Sequence, residues 1–214
     1  MFDAIILLTG AIEQPIFTAV LRAHNPRLAI VPVVTLAELN ALQPGLLARA
    51  RLIAYTTGII VPAKVLDRLG YGGYNFHPGP PNCPGWAPAH FAFHRRAAEF
   101  GATAHAMVAR VDEGPIVGVE MFPIPPDASV AMLEGMAYAR LSYLFWSLAQ
   151  PLACCHEPLA QLPVRWSGTK TTRRDYAAIQ GIALDISRDE LDRRVKAFND
   201  RVKPAPACSC ATQG

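Results

Sequence analysis

Gly73-Tyr74-Asn75-Phe76-His77 runs straight into Pro78-Gly79-Pro80-Pro81. In a strand, side chains two residues apart point to one face, so Asn75 and His77 project together. Proline has no N–H to give to a ladder, so the strand stops here and the pair sits where it exits into a loop. In an open α/β sheet that is where ligands bind. Further along, Val111-Asp112-Glu113-Gly114-Pro115-Ile116-Val117 is an acidic turn leading into another apolar run. One amide donor, one imidazole and one carboxylate are the parts of a small acyl-transfer site: oxyanion donor, base and orienter. Each also has a plainer reading. A histidine at a strand end is commonly a structural hydrogen-bonder, and an aspartate before glycine is turn chemistry.

Working outward, short apolar runs alternate with helical patterns. Phe2 to Leu8, Arg27 to Val33 and Leu52 to Thr56 read as strands. Helices are expected over Ile12 to Ala23, Ala37 to Arg49 and Val61 to Leu69, with Pro62 near the start of the third, where its missing N–H costs nothing. Trp86 to Ala98 reads as a helix leaving the proline loop. Thr103 to Ala109 and Pro115 to Phe122 read as strands flanking Asp112, and Val130 to Ala149 as a covering helix. This alternation predicts an α/β fold with a doubly wound, mostly parallel sheet flanked by helices. Gly70-Tyr71-Gly72-Gly73 precedes a strand instead of following one, so it is a turn and no dinucleotide fingerprint.

A chain of 214 residues is long enough for one such domain with extensions. Apolar residues at 51% and charged residues at 17% describe a globular protein. The net charge of +3 is too mild to argue for nucleic acid. Five cysteines, with no secretory leader before Phe2-Asp3-Ala4, point to a reducing, cytoplasmic setting. Val130 to Leu152 is the most hydrophobic stretch, but Glu134 and Arg140 interrupt it, and Leu133, Met136, Leu141, Leu144, Phe145 and Leu148 recur at helical spacing. A helix packed on the sheet fits it better than a membrane span.

The character changes beyond Pro151. Residues 1–150 read as the catalytic domain, 151–202 as a helical and basic extension packed on it, and 203–214 as a disordered tail rich in proline and small polar residues. The basic stretch is Arg165-Trp166-Ser167-Gly168-Thr169-Lys170-Thr171-Thr172-Arg173-Arg174, and Ser187 with Glu190 forms a capping box for a helix reaching Phe198. Cys154-Cys155-His156 and Cys208-Ser209-Cys210 invite a metal, but adjacent cysteines do not easily share one zinc and no second C-x-x-C exists.

Thr57 to Val119 resembles the formyltransferase family that uses 10-formyltetrahydrofolate, which includes glycinamide ribonucleotide, methionyl-tRNA and sugar-nucleotide N-formyltransferases and formyltetrahydrofolate deformylase. Gly58-Ile59-Ile60-Val61-Pro62 resembles its G-[LI]-I-[LI]-P segment, and Asn75-Phe76-His77 its N-[ILV]-H, followed by a proline-rich loop ending at Gly85. Gly101-Ala102-Thr103-Ala104-His105 resembles G-x-T-x-H, and Asp112-Glu113-Gly114-Pro115-Ile116-Val117 resembles D-x-G-P-I-[IV]. The loop Pro78 to Gly85 departs from the family's S-L-L-P, and Leu8-Thr9-Gly10-Ala11-Ile12-Glu13 lacks a phosphate cradle.

The resemblance implies a Rossmann-like formyltransferase fold and transfer of a formyl group from 10-formyltetrahydrofolate, as co-substrate, to an amine. It implies no metal. Asn75, His77 and Asp112 would be catalytic, with Asp112 orienting His77 and favouring its protonated form. Thr57, Gly58, Ile60, Val61 and Val65, with Arg110 and Val111, would bind folate, and His105 would be an accessory histidine. The acceptor expected is a small-molecule amine, not tRNA, because the chain ends soon after Phe198. Neither nucleic acid nor membrane is an expected partner, and self-association as a homodimer is left open. The competing functions are formyltetrahydrofolate deformylase and an inert folate-binding protein.

Overall fold

The structure is a computed structural model, described here for residues 2–198. Its centre is a six-stranded sheet in the order β2-β1-β3-β4-β5-β6. The strands are β1 (Ala4–Leu8), β2 (Ala29–Val33), β3 (Ala50–Tyr55), β4 (Gly73–His77), β5 (Glu99–Ala106) and β6 (Ile116–Pro123). The sheet is parallel from β2 through β4 and antiparallel from β4 to β6. β1 is apolar throughout because both of its faces are covered, as a central parallel strand requires. Ile5 and Leu7 enter one core, with Phe17 and Phe145. Ala4, Ile6 and Leu8 enter the other, with Leu39 and Val65.

The first core is closed by α1 (Glu13–His24) and the long α6 (Val130–Cys154). Among the described residues no helix is long and apolar enough to cross a membrane. The helix expected over Ala37 to Arg49 is two pieces, α2 (Leu36–Ala41) and α3 (Pro44–Leu47). Pro44 forces Gln43 into extended backbone (ψ 142°), which ends the first turn run and starts the next. The helix expected over Val61 to Leu69 is only α4 (Ala63–Leu66), so residues 57–62 remain an open segment. α5 (Pro88–His94) starts two residues later than expected, after Ala87 in the left-handed region, and leaves Trp86 on the loop.

Two further helices follow, α7 (Arg173–Gln180) and α8 (Arg188–Phe198). α7 was not anticipated, although Thr172 and Asp175 carry a capping box legible as T-x-x-D. Between α6 and α7 the chain returns across the strand ends. Leu162 N–H donates to Ile116 O, Ser167 N–H to Pro81 O and Thr171 N–H to Pro84 O. The tail from Lys203, with Cys208 and Cys210, lies outside the described residues.

Candidate active site

β4 alternates as its sequence dictates. Tyr74 and Phe76 enter the core under α6, and Asn75 and His77 face a cavity of about 680 Å³ on the opposite side of the sheet. Because β5 returns antiparallel, Asn75 lies opposite His105 and His77 opposite Thr103. Thr103 Oγ1 donates to Gly79 O at 2.8 Å and so holds the loop that follows His77. Gly79 is required there, since a Cβ would come within 2.6 Å of His77 Nε2. The β5–β6 register shifts between Ala104 and His105, a bulge of the kind that re-aims side chains near active sites.

Asp112 arrives from the turn after β5, in the left-handed region at φ +51°. One carboxylate oxygen, Oδ2, accepts the Gly85 N–H at 2.8 Å and lies 3.6 Å from His77 Nδ1. The other, Oδ1, lies 3.2 Å from His105 Nε2 but has no aligned hydrogen bond. A buried acceptor without a donor is uncommon in folded proteins. Thr56 and Ala87, also at positive φ, sit beside the cavity residues Thr57 and Trp86, so backbone strain gathers around this site.

The backbone partners set the tautomers, because a carbonyl only accepts. His105 Nδ1–H donates to Ala106 O at 2.9 Å, which leaves Nε2 to accept from Asn75 Nδ2 at 3.1 Å. His77 Nε2–H donates to Cys83 O at 3.0 Å, which leaves its Nδ1 lone pair free. Burial pushes the His77 pKa down, and the upward pull of Asp112 does not overcome it. Asp112 does pull toward the protonated ring, but desolvation outweighs that pull and the neutral ring is favoured. Burial pushes the Asp112 carboxyl up, but contact with His105 and His77 in their protonated forms, together with the Gly85 amide, outweighs it and holds the pKa at about 2.

A formyl transferase family model matches residues 36–138. The methionyl-tRNA formyltransferase of Ralstonia nicotianae is 31% identical over 180 residues, 82% of this chain and 51% of that protein. The chain belongs to the formyltransferase family. It spans about half the length of the curated relatives it matches. A sugar N-formyltransferase from a Shewanella species aligns over 92% of this chain and 88% of that one, with TM-score 0.71 and 15% identity. The N-formyltransferase from Helicobacter canadensis, in complex with folinic acid and dTDP-3-aminofucose, aligns over 92% and 81%, with TM-score 0.68 and 17% identity. These likenesses show the Rossmann-like fold of the formyltransferase family.

Six of the seven residues assigned to folate from the family resemblance line the cavity: Thr57, Gly58, Ile60, Val61, Arg110 and Val111. Val65 does not. It lies on the inward face of the short α4, 4% exposed, and packs with Leu47 and Leu52 in the core. Sequence reasoning missed Trp86 and the wall formed by Lys170 to Arg173. The Arg173 guanidinium stands 4.5 Å above the Trp86 ring, and Lys170 pairs with Glu113 at 2.9 Å. The only local signal for that wall was the cluster of basic residues itself.

Proposed function

We propose that the chain moves a formyl group from 10-formyltetrahydrofolate to an amine on a small-molecule acceptor. The observation that carries this reading is one cavity lined by Asn75, His77 and Asp112 together. Its volume of about 680 Å³ lies in the range of small-molecule sites. The segment 57–61 and the Arg110–Val111 turn supply the wall for the folate ring system.

The chemistry follows from the donors and acceptors present. A neutral acceptor amine, seated in the cavity that Asp112 helps to line, attacks the formyl carbon. Asn75 spends one amide hydrogen on His105 and has the second for the developing oxyanion, a contact worth roughly 3–4 kcal/mol in a dry site. His77, neutral and with its Nδ1 lone pair free, takes the amine proton. Ionised Asp112, 3.6 Å away, stabilises the imidazolium that forms. The tetrahedral intermediate then collapses, the C–N bond to the folate breaks, and His77 returns its proton to the departing nitrogen. Formyl transfer between two nitrogens needs no metal.

The test is tetrahydrofolate release from 10-formyltetrahydrofolate, followed with and without a panel of amino sugars, nucleotide-linked amino sugars and amino-acid amines. One member should accelerate release and gain the mass of one formyl group. Asn75→Ala should lower turnover about 10²–10³-fold while a non-reactive folate analogue still binds. Folded protein that binds no folate analogue would end the reading. Fast formate release without any acceptor would establish hydrolysis instead.

A further inference from the structure

Trp166 lies on the segment between α6 and α7, outside the residues that the family model matches, and its side chain meets three parts of the site. Its indole N–H donates to Gly114 O at 2.8 Å. Gly114 belongs to the Asp112 turn and is pressed against β5, where a Cβ would come within 1.9 Å of Ala106 O. The same indole stands edge-to-face to both imidazoles, with ring centroids 5.0 Å from His105 at 88° and 5.7 Å from His77 at 74°. The next residue, Ser167, bonds the proline loop at Pro81 O, and Gly168, at φ +75°, lies against Asn82 of that loop. The tryptophan is thus anchored on both sides.

His77 needs such an anchor. Its Nε2–H has a good acceptor in Cys83 O, but its Nδ1 is 3.6 Å from Asp112, too far to hold the ring plane. A ring with one good hydrogen bond can still swing about that bond. We propose that Trp166 is a positioning residue: it locks the planes of His77 and His105 relative to the Asp112 turn and keeps water off the side of the rings that it covers. This rests on the formyl-transfer reading only for its consequence in turnover. The geometric claim stands apart from it.

The groups facing His77 are Asp112 from the turn, His105 from β5 and the Cys83 carbonyl from the loop, with Arg95 of the α5 C-terminus beside the Cys83 thiol. Trp166 brings no charge, so it acts on the ring by excluding solvent. Opening that side to water would relieve the desolvation that now pushes the His77 pKa down.

Two variants separate the ring from the tether. Trp166→Leu keeps apolar bulk and loses both the ring and the N–H; Trp166→Phe keeps a ring and loses the N–H. NMR titration of the histidine rings in ligand-free protein reads the geometry without any substrate. The leucine variant should move the His77 midpoint upward, and the phenylalanine variant should hold it near that of the unsubstituted protein. Turnover should fall about 10²-fold in the leucine variant, as a misplaced catalytic group allows, with folate-analogue affinity unchanged and with most of the rate restored by phenylalanine. An unchanged His77 midpoint in the leucine variant overturns the proposal. So do equal changes in both variants, which would place the whole effect in the Gly114 tether. In the unsubstituted protein, ring protons of His77 and His105 should give nuclear Overhauser contacts to the Trp166 indole. Their absence overturns the proposal even if the leucine variant does not fold.

Discussion

Arg51 and Asp112 are both buried charges, 0% and 3% exposed, and the fold treats them in opposite ways. The Arg51 guanidinium donates to the carbonyls of Tyr71, Pro151, Leu152, Cys155 and Glu157 at 2.7–3.3 Å. It is flanked by the rings of Phe2 and Tyr74 at 5.0 and 5.5 Å. Four of those carbonyls lie at or just beyond the end of α6, where helical carbonyls lack internal partners and the dipole favours a cation. Asp112 has one oxygen bonded and one without a donor, and the residue lines the cavity. A buried charge with its bonding complete belongs to the scaffold. One with an unsatisfied acceptor in a residue that lines a cavity has its bonding left incomplete by the fold.

Substituting the two residues in turn tests that distinction. Asp112→Asn should give the largest effect, a fall in turnover of about 10²–10⁴-fold, because proton movement at His77 loses its counter-charge. Its stability should suffer less, since asparagine also accepts the Gly85 N–H and tolerates the left-handed backbone. Steady-state kinetics beside urea unfolding would read both, and near-normal turnover would break the comparison.

Arg51→Met should invert the pattern. It leaves the carbonyls around the end of α6 without their donor and should cost about 3–5 kcal/mol of stability, with turnover per folded molecule unchanged. A methionine variant as stable as the original would mean that water replaces the guanidinium and that the two buried charges differ less than their bonding suggests.

The smallest effect expected is in the pH dependence of stability. Burial lowers the folded-state pKa of His77. Below its unfolded value of about 6.5 the unfolded chain therefore binds more protons, and stability drops as the pH falls, by at most about 1.4 kcal/mol per pH unit for this one group. Asp112, with a folded pKa of about 2, adds its own loss only at lower pH, between about 3.9 and that value. Urea unfolding from pH 7 to 4.5 should show the first slope, and His77→Gln should flatten it. A slope that survives the substitution would assign the effect to another histidine.

Asn75, His77 and Asp112 were legible because their signals are local. A period of two, a proline stop and an acidic turn before Gly-Pro can each be read from a few neighbours. The break at Pro44 was equally local, but a leucine-rich pattern on both sides of it masked the break. His105 enters the site only through the antiparallel return of β5 and its bulge, and Trp166 only through a segment recrossing the strand ends. Neither placement leaves a periodic signature at the residue itself.

By itself, then, the sequence determined which segments are strands, where β4 stops and which polar residues stand at that stop. Tertiary structure alone decided what the charged and polar groups became: a capped helix end at Arg51, a desolvated imidazole at His77, an unsatisfied acceptor at Asp112. The physical reason is that strand formation and chain termination depend on near neighbours. Desolvation and hydrogen-bond completion depend on atoms brought together from distant parts of the chain, as the five carbonyls around Arg51 are.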